Sequence, residues 1–130
     1  MAKTVAEMVK EAKSRIQNLT VADVAEEIKR GNVTIVDIRE PHEREQGAIP
    51  GSISAPRGML EFYADPTSSY HRPEFDPSKR IVLHCALGGR SALAADTLQQ
   101  MGYTNVAHLD GGFNAWSAAG QPVEKPKEDE

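Results

Sequence analysis

Apolar residues recur at helical spacing in three parts of the chain. The first part opens with a capping box at residues 4–7 and carries one apolar stripe, made of Val5, Met8, Val9, Ala12 and Ile16. The second part begins at Thr20 and is ended by Gly31, and the third is ended by Gly102. We therefore predict two longer helices in the body of the chain, preceded by an N-terminal amphipathic helix within residues 1–18.

Runs of β-branched and other apolar residues lie between these helical parts. They occupy 33–38, 80–84 and 105–109, and a shorter run lies at 53–55. The run at 33–38 has no polar face, which is typical of a strand buried between two layers of helices. Because strands and helices alternate with short connections, the pattern predicts an α/β fold with an open parallel sheet.

Length and charge limit the possible partners. The 130 residues fit one domain with one core. A net charge of −4 disfavours nucleic acids and anionic membranes, because both select for clustered Lys and Arg. The longest run of Ile, Val and Leu is 81–83, far short of the ~20 residues that cross a bilayer, and residues 1–13 lack the apolar segment of a secretory signal. We expect a cytoplasmic protein with a domain at 19–123 and a charged flexible tail at 124–130.

The single cysteine, Cys85, follows the run at 80–84 and precedes a glycine-bearing loop that leads into a helix. A lone cysteine forms no intramolecular disulfide and no cysteine-based zinc site, and it often simply fills space in a core. Here the loop favours a chemical role, because Gly88 and Gly89 cost stability unless the backbone needs their freedom. Inward-pointing amides, the positive end of the next helix and Arg90 would together favour a thiolate and hold an anion beside it.

Four stretches of the sequence, in this order, resemble the rhodanese-like family of single-domain sulfurtransferases. They are VDIRE at 36–40, GAIPGS at 47–52, CALGGRS at 85–91 and LDGGFNAW at 109–116, the last followed by GQPV at 120–123. The resemblance covers residues 19–123 and implies a parallel sheet of about five strands flanked by helices on both faces. The N-terminal helix is extra, and its apolar stripe must pack either on this domain or on another subunit in a homodimer.

The resemblance also implies sulfur transfer through Cys85. In the family, the cysteine takes a sulfane sulfur from a small donor such as thiosulfate, and the persulfide passes it to cyanide or a thiol, with no metal or organic cofactor. We expect substrate contacts from Arg90 and from the rest of the loop, namely Ala86, Leu87, Gly88, Gly89 and Ser91. Arg90 is the only cation in this loop, which disfavours efficient use of thiosulfate in particular.

Two other functions use the same fold. A binding or regulatory module keeps the fold without the chemistry, but it would more naturally lose the nucleophile Cys85. A related cysteine phosphatase needs one residue more between cysteine and arginine than the stretch 86–89 provides. A loop that closes around one sulfur atom lacks the radius to direct its amides at the oxygens of a phosphate. The sulfurtransferase is therefore the favoured function.

Other polar residues are interpreted as structural. Asp37 and Arg39 stand at the end of a predicted strand, and we favour an ion pair with the stretch 41–45 over a contact with the active site. Three histidines share no metal-ligand spacing and are expected at the surface or at an edge of the sheet: His42, His71 and His108.

Overall fold

The computed structural model describes residues 2–126. Its helices are α1 (Val5–Arg15), α2 (Val21–Arg30), α3 (Pro41–Glu45), α4 (Leu60–Ala64), α5 (Gly89–Gln100) and α6 (Gly112–Ala118), and a 3₁₀ turn covers Arg57–Met59. Its strands are β1 (Gln17–Leu19), β2 (Thr34–Asp37), β3 (Ile53–Ser54), β4 (Ile81–His84) and β5 (Val106–Leu109). None of the described helices combines the length and the apolar surface that a bilayer crossing demands.

All five strands join one parallel sheet in the order β1–β5–β4–β2–β3. Every residue of β4 and β5 is buried, as expected for strands covered on both faces. Because the strands run in one direction, their carboxyl ends lie along one edge, where loops of open α/β sheets form ligand sites. The predicted α/β fold with a parallel sheet is confirmed.

Two apolar clusters hold helices against opposite faces of the sheet. One joins Leu83 of β4 to Leu98 of α5 and includes Cys85. The other joins Val82 of β4 to Trp116 of α6. Neighbouring residues of a strand point to opposite faces, so Leu83 and Val82 each anchor a different layer of helices. The side chain of Cys85 therefore belongs to the layer that contains α5.

The N-terminal segment departs from its predicted form after Arg15. The helix ends there, and Gln17–Leu19 form an edge strand that pairs with β5, where the sequence predicts helix within 1–18. Gln17 and Asn18 are polar, so these residues carry no apolar run that would indicate a strand. The strand exists because backbone groups of β5, distant in sequence, complete its hydrogen bonds.

α1 packs on α5 of the same chain. Ala12 is fully buried, and the guanidinium of Arg15 donates two hydrogen bonds to the carboxylate of Asp96, at 3.0 and 2.7 Å. The N-terminal helix thus packs on its own domain, which is the first of the two arrangements predicted for its apolar stripe. Val5 and Met8 at the amino end of the stripe stay exposed.

Glu124 holds the end of the described chain on the domain. Its backbone exchanges two hydrogen bonds with Ala48, at 2.7 and 2.9 Å. The expected tail begins at this residue, and its last part, 127–130, lies outside the described residues.

Candidate active site

The loop between β4 and α5 lies at the carboxyl edge of the sheet. β4 ends at His84, Cys85 follows directly, and α5 begins at Gly89. Gly88 caps the helix with a φ of +112°, a left-handed conformation that side chains with a Cβ rarely adopt. The glycine therefore permits a sharp turn that directs backbone N–H groups back towards Cys85.

The sulfur of Cys85 accepts hydrogen bonds from this turn. The N–H of Gly88 donates to Sγ at 3.1 Å and the N–H of Ser91 at 3.4 Å, while the Ser91 hydroxyl lies 3.5 Å from the sulfur. Cys85 itself is 1% exposed. The two amides and the amino end of α5 therefore direct partial positive charge at the sulfur.

An open pocket of about 540 Å³ leads to Cys85. Most of the residues that the sequence assigns to substrate binding line this pocket: Ala86, Leu87, Gly89 and Arg90. Gly88 and Ser91 instead contact the sulfur through their amides. Another part of the wall comes from the first turns of α1, a contribution that sequence patterning did not predict because α1 precedes the recognisable motifs.

Arg90, at this pocket, pairs with Glu43 of α3. Its guanidinium donates two hydrogen bonds to the Glu43 carboxylate, at 2.8 and 2.9 Å. The Glu43 carboxylate, and to a smaller extent Cys85, raise the pKa of Arg90 above its usual value. In turn Arg90 lowers the pKa of Glu43 to about 2. Both groups are therefore charged near neutral pH, and part of the Arg90 charge is compensated within the protein.

A hydrogen-bond chain runs from exposed Asn18 through buried His108 to Ser91, which contacts the sulfur. Asn18 donates through Nδ2 to the carbonyls of Lys13 and Ile16, at 2.9 and 3.2 Å, so its Oδ1 is the acceptor that faces His108 Nε2 at 2.7 Å. His108 Nε2 thus carries the proton, and Nδ1 accepts from the Ser91 hydroxyl at 2.8 Å. This chain orients Ser91, whose N–H points at the Cys85 sulfur.

His108 corrects one expectation from the sequence. The residue is completely buried in β5, not placed at the surface or at a sheet edge. Burial lowers its pKa to about 4, so it is neutral near pH 7. Among residues 2–126, no group of three or more His, Cys, Asp or Glu side chains gathers to hold a metal ion.

Buried His108 makes stability depend on pH. In the unfolded chain a histidine takes up a proton near pH 6.5, whereas folded His108 does so only near its pKa of about 4. Between these values the unfolded state binds more protons, so stability falls as the pH falls. We expect His108 to contribute a loss of about 2 kcal/mol in the free energy of unfolding between pH 7 and pH 5, measured by urea denaturation.

Histidine variants test which residue causes the fall in stability at low pH. Burial also lowers the pKa of His84, which acts in the same direction. His108→Gln should therefore flatten the stability profile only in part, whereas His42→Gln, a change at an exposed histidine, should leave its slope as in the wild type. An unchanged slope in His108→Gln would contradict the assignment.

The glycine turn before α6 packs against the loop 85–91, which we refer to as the candidate catalytic loop. Phe113 N–H donates to the Cys85 carbonyl at 2.8 Å, and Asn114 N–H donates to the Ala86 carbonyl at 3.0 Å. Gly112 has a φ of +63°, and a Cβ there would lie 2.5 Å from the Ala86 oxygen. Only glycine permits this close approach, which gives the LDGG stretch a specific structural role.

Asp37 and Arg39 form a buried ion pair that organises the neighbouring loop. Arg39 donates to both carboxylate oxygens of Asp37, at 3.0 and 2.8 Å, and Arg44 of α3 reaches the same carboxylate at 3.3 Å. Burial works to raise the pKa of Asp37, but the hydrogen bonds from Arg39 and the electrostatic effects of His84 and Arg39 together outweigh it, and the pKa lies below its usual value. Arg39 also donates to the Gly47 carbonyl at 2.7 Å. These contacts agree with the structural interpretation of the pair.

Comparison with known sequences identifies the class of domain to which the chain is similar. A family model described as a rhodanese-like domain matches residues 20–119. A sulfurtransferase from Allochromatium vinosum is 32% identical over 120 residues, which cover 92% of this chain and 99% of that protein. A thiosulfate sulfurtransferase from Pseudoalteromonas translucida is 32% identical over 103 residues, covering 79% and 90% of the two chains.

Solved structures share the fold of this chain. A protein of unknown function from Rhodopseudomonas palustris, described as a possible tyrosine phosphatase, is 50% identical, with a TM-score of 0.89 and coverage of 95% of this chain and 96% of that one. A rhodanese-related protein from Thermoplasma volcanium is 32% identical, with a TM-score of 0.70 and coverage of 85% and 99%.

Proposed function

Because this chain belongs to the rhodanese-like family, we propose that it is a sulfurtransferase that carries a sulfane sulfur as a persulfide on Cys85. The observation that most directly supports this proposal is the pair of hydrogen bonds from the Gly88 and Ser91 amides to the Cys85 sulfur. The sulfur lies beside an open pocket that small donors and acceptors can enter. Backbone amides that donate hydrogen bonds to a thiolate stabilise its charge without protonating it, so the sulfur stays nucleophilic.

The reaction has two balanced steps. In the first, the Cys85 thiolate forms a bond to the outer sulfur of thiosulfate, the sulfur–sulfur bond of the donor breaks, and sulfite leaves with the electron pair. In the second, cyanide or a thiolate attacks the outer sulfur of the persulfide, and the Cys85 thiolate leaves. Negative charge is present in both steps, so the loop amides and Arg90 serve both of them. Cys85, the loop amides and Arg90 are the protein groups that these steps use.

An intact-mass measurement tests the function directly. After incubation with thiosulfate, the protein should gain the mass of one sulfur atom, and cyanide should remove it with release of thiocyanate. The chain contains a single cysteine, so Cys85 is the only thiol on which a persulfide can form. A protein that stays unmodified by every sulfane donor, while still folded, would support a binding or regulatory module instead.

Arg90→Ala is expected to lower kcat/KM for thiosulfate about ten- to hundredfold, because a charged hydrogen bond to the anionic donor is lost. Stability should change little, since the Arg90 side chain is 41% exposed and exposed ion pairs contribute little to folding. Steady-state thiocyanate production measures the first effect, and thermal unfolding measures the second.

Arg57→Ala is the matched control. Arg57 also pairs with a glutamate, Glu61, at 2.8 Å and with comparable exposure, but it does not line the pocket. The control should keep the kinetics of the wild type. Equal losses in Arg57→Ala and Arg90→Ala would exclude a specific role for Arg90 in donor binding.

The phosphatase alternative from the sequence analysis gains interest because the similar Rhodopseudomonas palustris protein is described as a possible tyrosine phosphatase. The loop of this chain places the residues 86–89 between Cys85 and Arg90, a length that suits one sulfur atom better than a phosphate. Parallel assays with p-nitrophenyl phosphate and with thiosulfate plus cyanide separate the two functions. Phosphate release that depends on Cys85, without thiocyanate formation, would favour the phosphatase.

A cytoplasmic location and a homodimer formed through α1 stay predictions. Sedimentation of the full chain tests the second, and the exposed Val5 and Met8 are the apolar residues of α1 that such a contact would bury.

A further inference from the structure

The first turns of α1 form one wall of the pocket that leads to the nucleophile. Val5 and Val9 line the pocket together with Leu87 of the catalytic loop and Leu93 of α5. Cγ2 of Val9 lies 3.8 Å from the position that a Cβ on Gly89 would occupy, so α1 rests on the amino end of α5. This wall lies outside residues 20–119, which match the family domain.

Polar contacts hold α1 in this position. Arg15 forms two hydrogen bonds with Asp96 of α5, and the side-chain amide of Gln99 donates to the Arg15 carbonyl at 2.9 Å. Lys13 Nζ contacts Asp110 Oδ1 at 2.8 Å, and Asp110 belongs to the turn beneath the catalytic loop. The last turn of α1 is therefore attached to α5 and to the turn that follows β5, and the same helix carries Val5 and Val9 at the pocket.

The pocket combines uncovered apolar side chains with little net charge. Val5 is 68% and Leu87 is 71% exposed, so an apolar ligand group that covers them would gain free energy from burial. Among the described residues that line the pocket, Arg90 is the only cation, and its charge is partly compensated by Glu43. A doubly charged inorganic donor would therefore meet a single, partly compensated cation.

We propose that this pocket selects an organic sulfur donor, in which a terminal sulfur with a single negative charge is joined to an apolar group, as in a thiosulfonate. The proposal rests on the sulfurtransferase function and specifies the donor class. The charged sulfur would approach Cys85 beside Arg90, while the apolar group would lie against Val5, Val9 and Leu87. A pocket of about 540 Å³ has the size of sites that bind small organic ligands.

The transfer step for such a donor, R–SO2–S⁻, balances without a further reactant. The Cys85 thiolate forms a bond to the terminal sulfur, and the bond between that sulfur and the sulfonyl sulfur breaks. The electron pair of the broken bond leaves with the sulfinate, R–SO2⁻. The step requires no proton, external oxidant or reductant, because a thiolate and a thiosulfonate give a persulfide and a sulfinate of the same total charge.

Three donors separate the effect of charge from the effect of the apolar group. Methanethiosulfonate and benzenethiosulfonate have the same charge and the same reacting bond, and they differ in the size of the apolar group. Thiosulfate has a charged oxygen in place of the apolar group. We expect Val5→Ser to lower the ratio of kcat/KM for benzenethiosulfonate over methanethiosulfonate by about fivefold. Leu87→Ser should lower the same ratio. Comparing ratios between variants cancels the intrinsic reactivity of each donor.

Met8→Ser is the matched control, because Met8 is an exposed apolar residue of the same helix that does not line the pocket. Its donor ratio should equal that of the wild type. Equal ratios in wild type, Val5→Ser and Leu87→Ser, or an equal fall in Met8→Ser, would overturn the donor class while leaving the sulfurtransferase function intact. If none of the three donors forms a persulfide on Cys85, the sulfurtransferase function itself is wrong.

Discussion

Cys85→Ser is expected to reduce sulfur transfer to the uncatalysed rate while the fold survives. A serine hydroxyl stays protonated near neutral pH, and its oxygen does not carry a sulfane sulfur as a thiolate does. The serine oxygen can still accept hydrogen bonds from the Gly88 and Ser91 amides, which now contact the sulfur. The cost of a hydroxyl in the apolar cluster around this position should be on the order of 1 kcal/mol.

Thiocyanate formation from thiosulfate and cyanide measures the loss, and thermal unfolding followed by circular dichroism reports the fold. The variant should also show no mass increase after exposure to donor, because it contains no other cysteine. Sulfur transfer at the wild-type rate in a folded Cys85→Ser protein would show that the chemistry does not pass through this residue.

Strands buried on both faces were the elements most readily predicted from the sequence. β2, β4 and β5 lie within the predicted apolar runs, because such runs are stable in a parallel sheet only when helices cover both faces. β1 was not predicted. Its residues pair with β5, Gln17 opposite Ala107, and this long-range pairing, rather than an apolar pattern, places them in the sheet.

The residues of the candidate active site also differ in how readily the sequence predicts them. The loop 85–91 was predicted because its glycines and Arg90 lie together at the end of a strand. Glu43, which pairs with Arg90, and His108, which orients Ser91, come from other segments, and no local spacing connects them to the loop. One signal was available for His108: most buried polar side-chain atoms have a hydrogen-bond partner, so a histidine inside a strand that is buried on both faces indicates an internal partner.

Gly112→Ala is expected to disrupt the catalytic loop and to lower both stability and sulfur transfer. A Cβ on Gly112 would lie 2.5 Å from the Ala86 oxygen and 2.7 Å from the Cys85 oxygen. These are backbone atoms and have no rotamer through which to withdraw. Either the catalytic loop or the turn that carries Gly112 must therefore move.

The movement would break the contacts that position the nucleophile. The N–H groups of Phe113 and Asn114 donate to the Cys85 and Ala86 carbonyls at 2.8 and 3.0 Å, and they cannot follow a displaced loop without losing these bonds. A shift of about 1 Å at a reacting group lowers a rate roughly a hundredfold. The same strain should reduce the free energy of unfolding by about 2–4 kcal/mol.

Gly120→Ala separates this clash from the general cost of alanine in a left-handed conformation. Gly120 has a φ of +78°, close to the +63° of Gly112, but a Cβ there meets nothing within 4 Å. Gly120→Ala should therefore lose only about 1 kcal/mol of stability and keep its kcat. Urea denaturation and thiocyanate kinetics on both variants measure the difference. Equal losses of stability and kcat in the two variants would mean that backbone strain alone explains why position 112 is glycine. A larger loss in Gly112→Ala would show that contact between the turn and the loop 85–91 positions Cys85 for sulfur transfer.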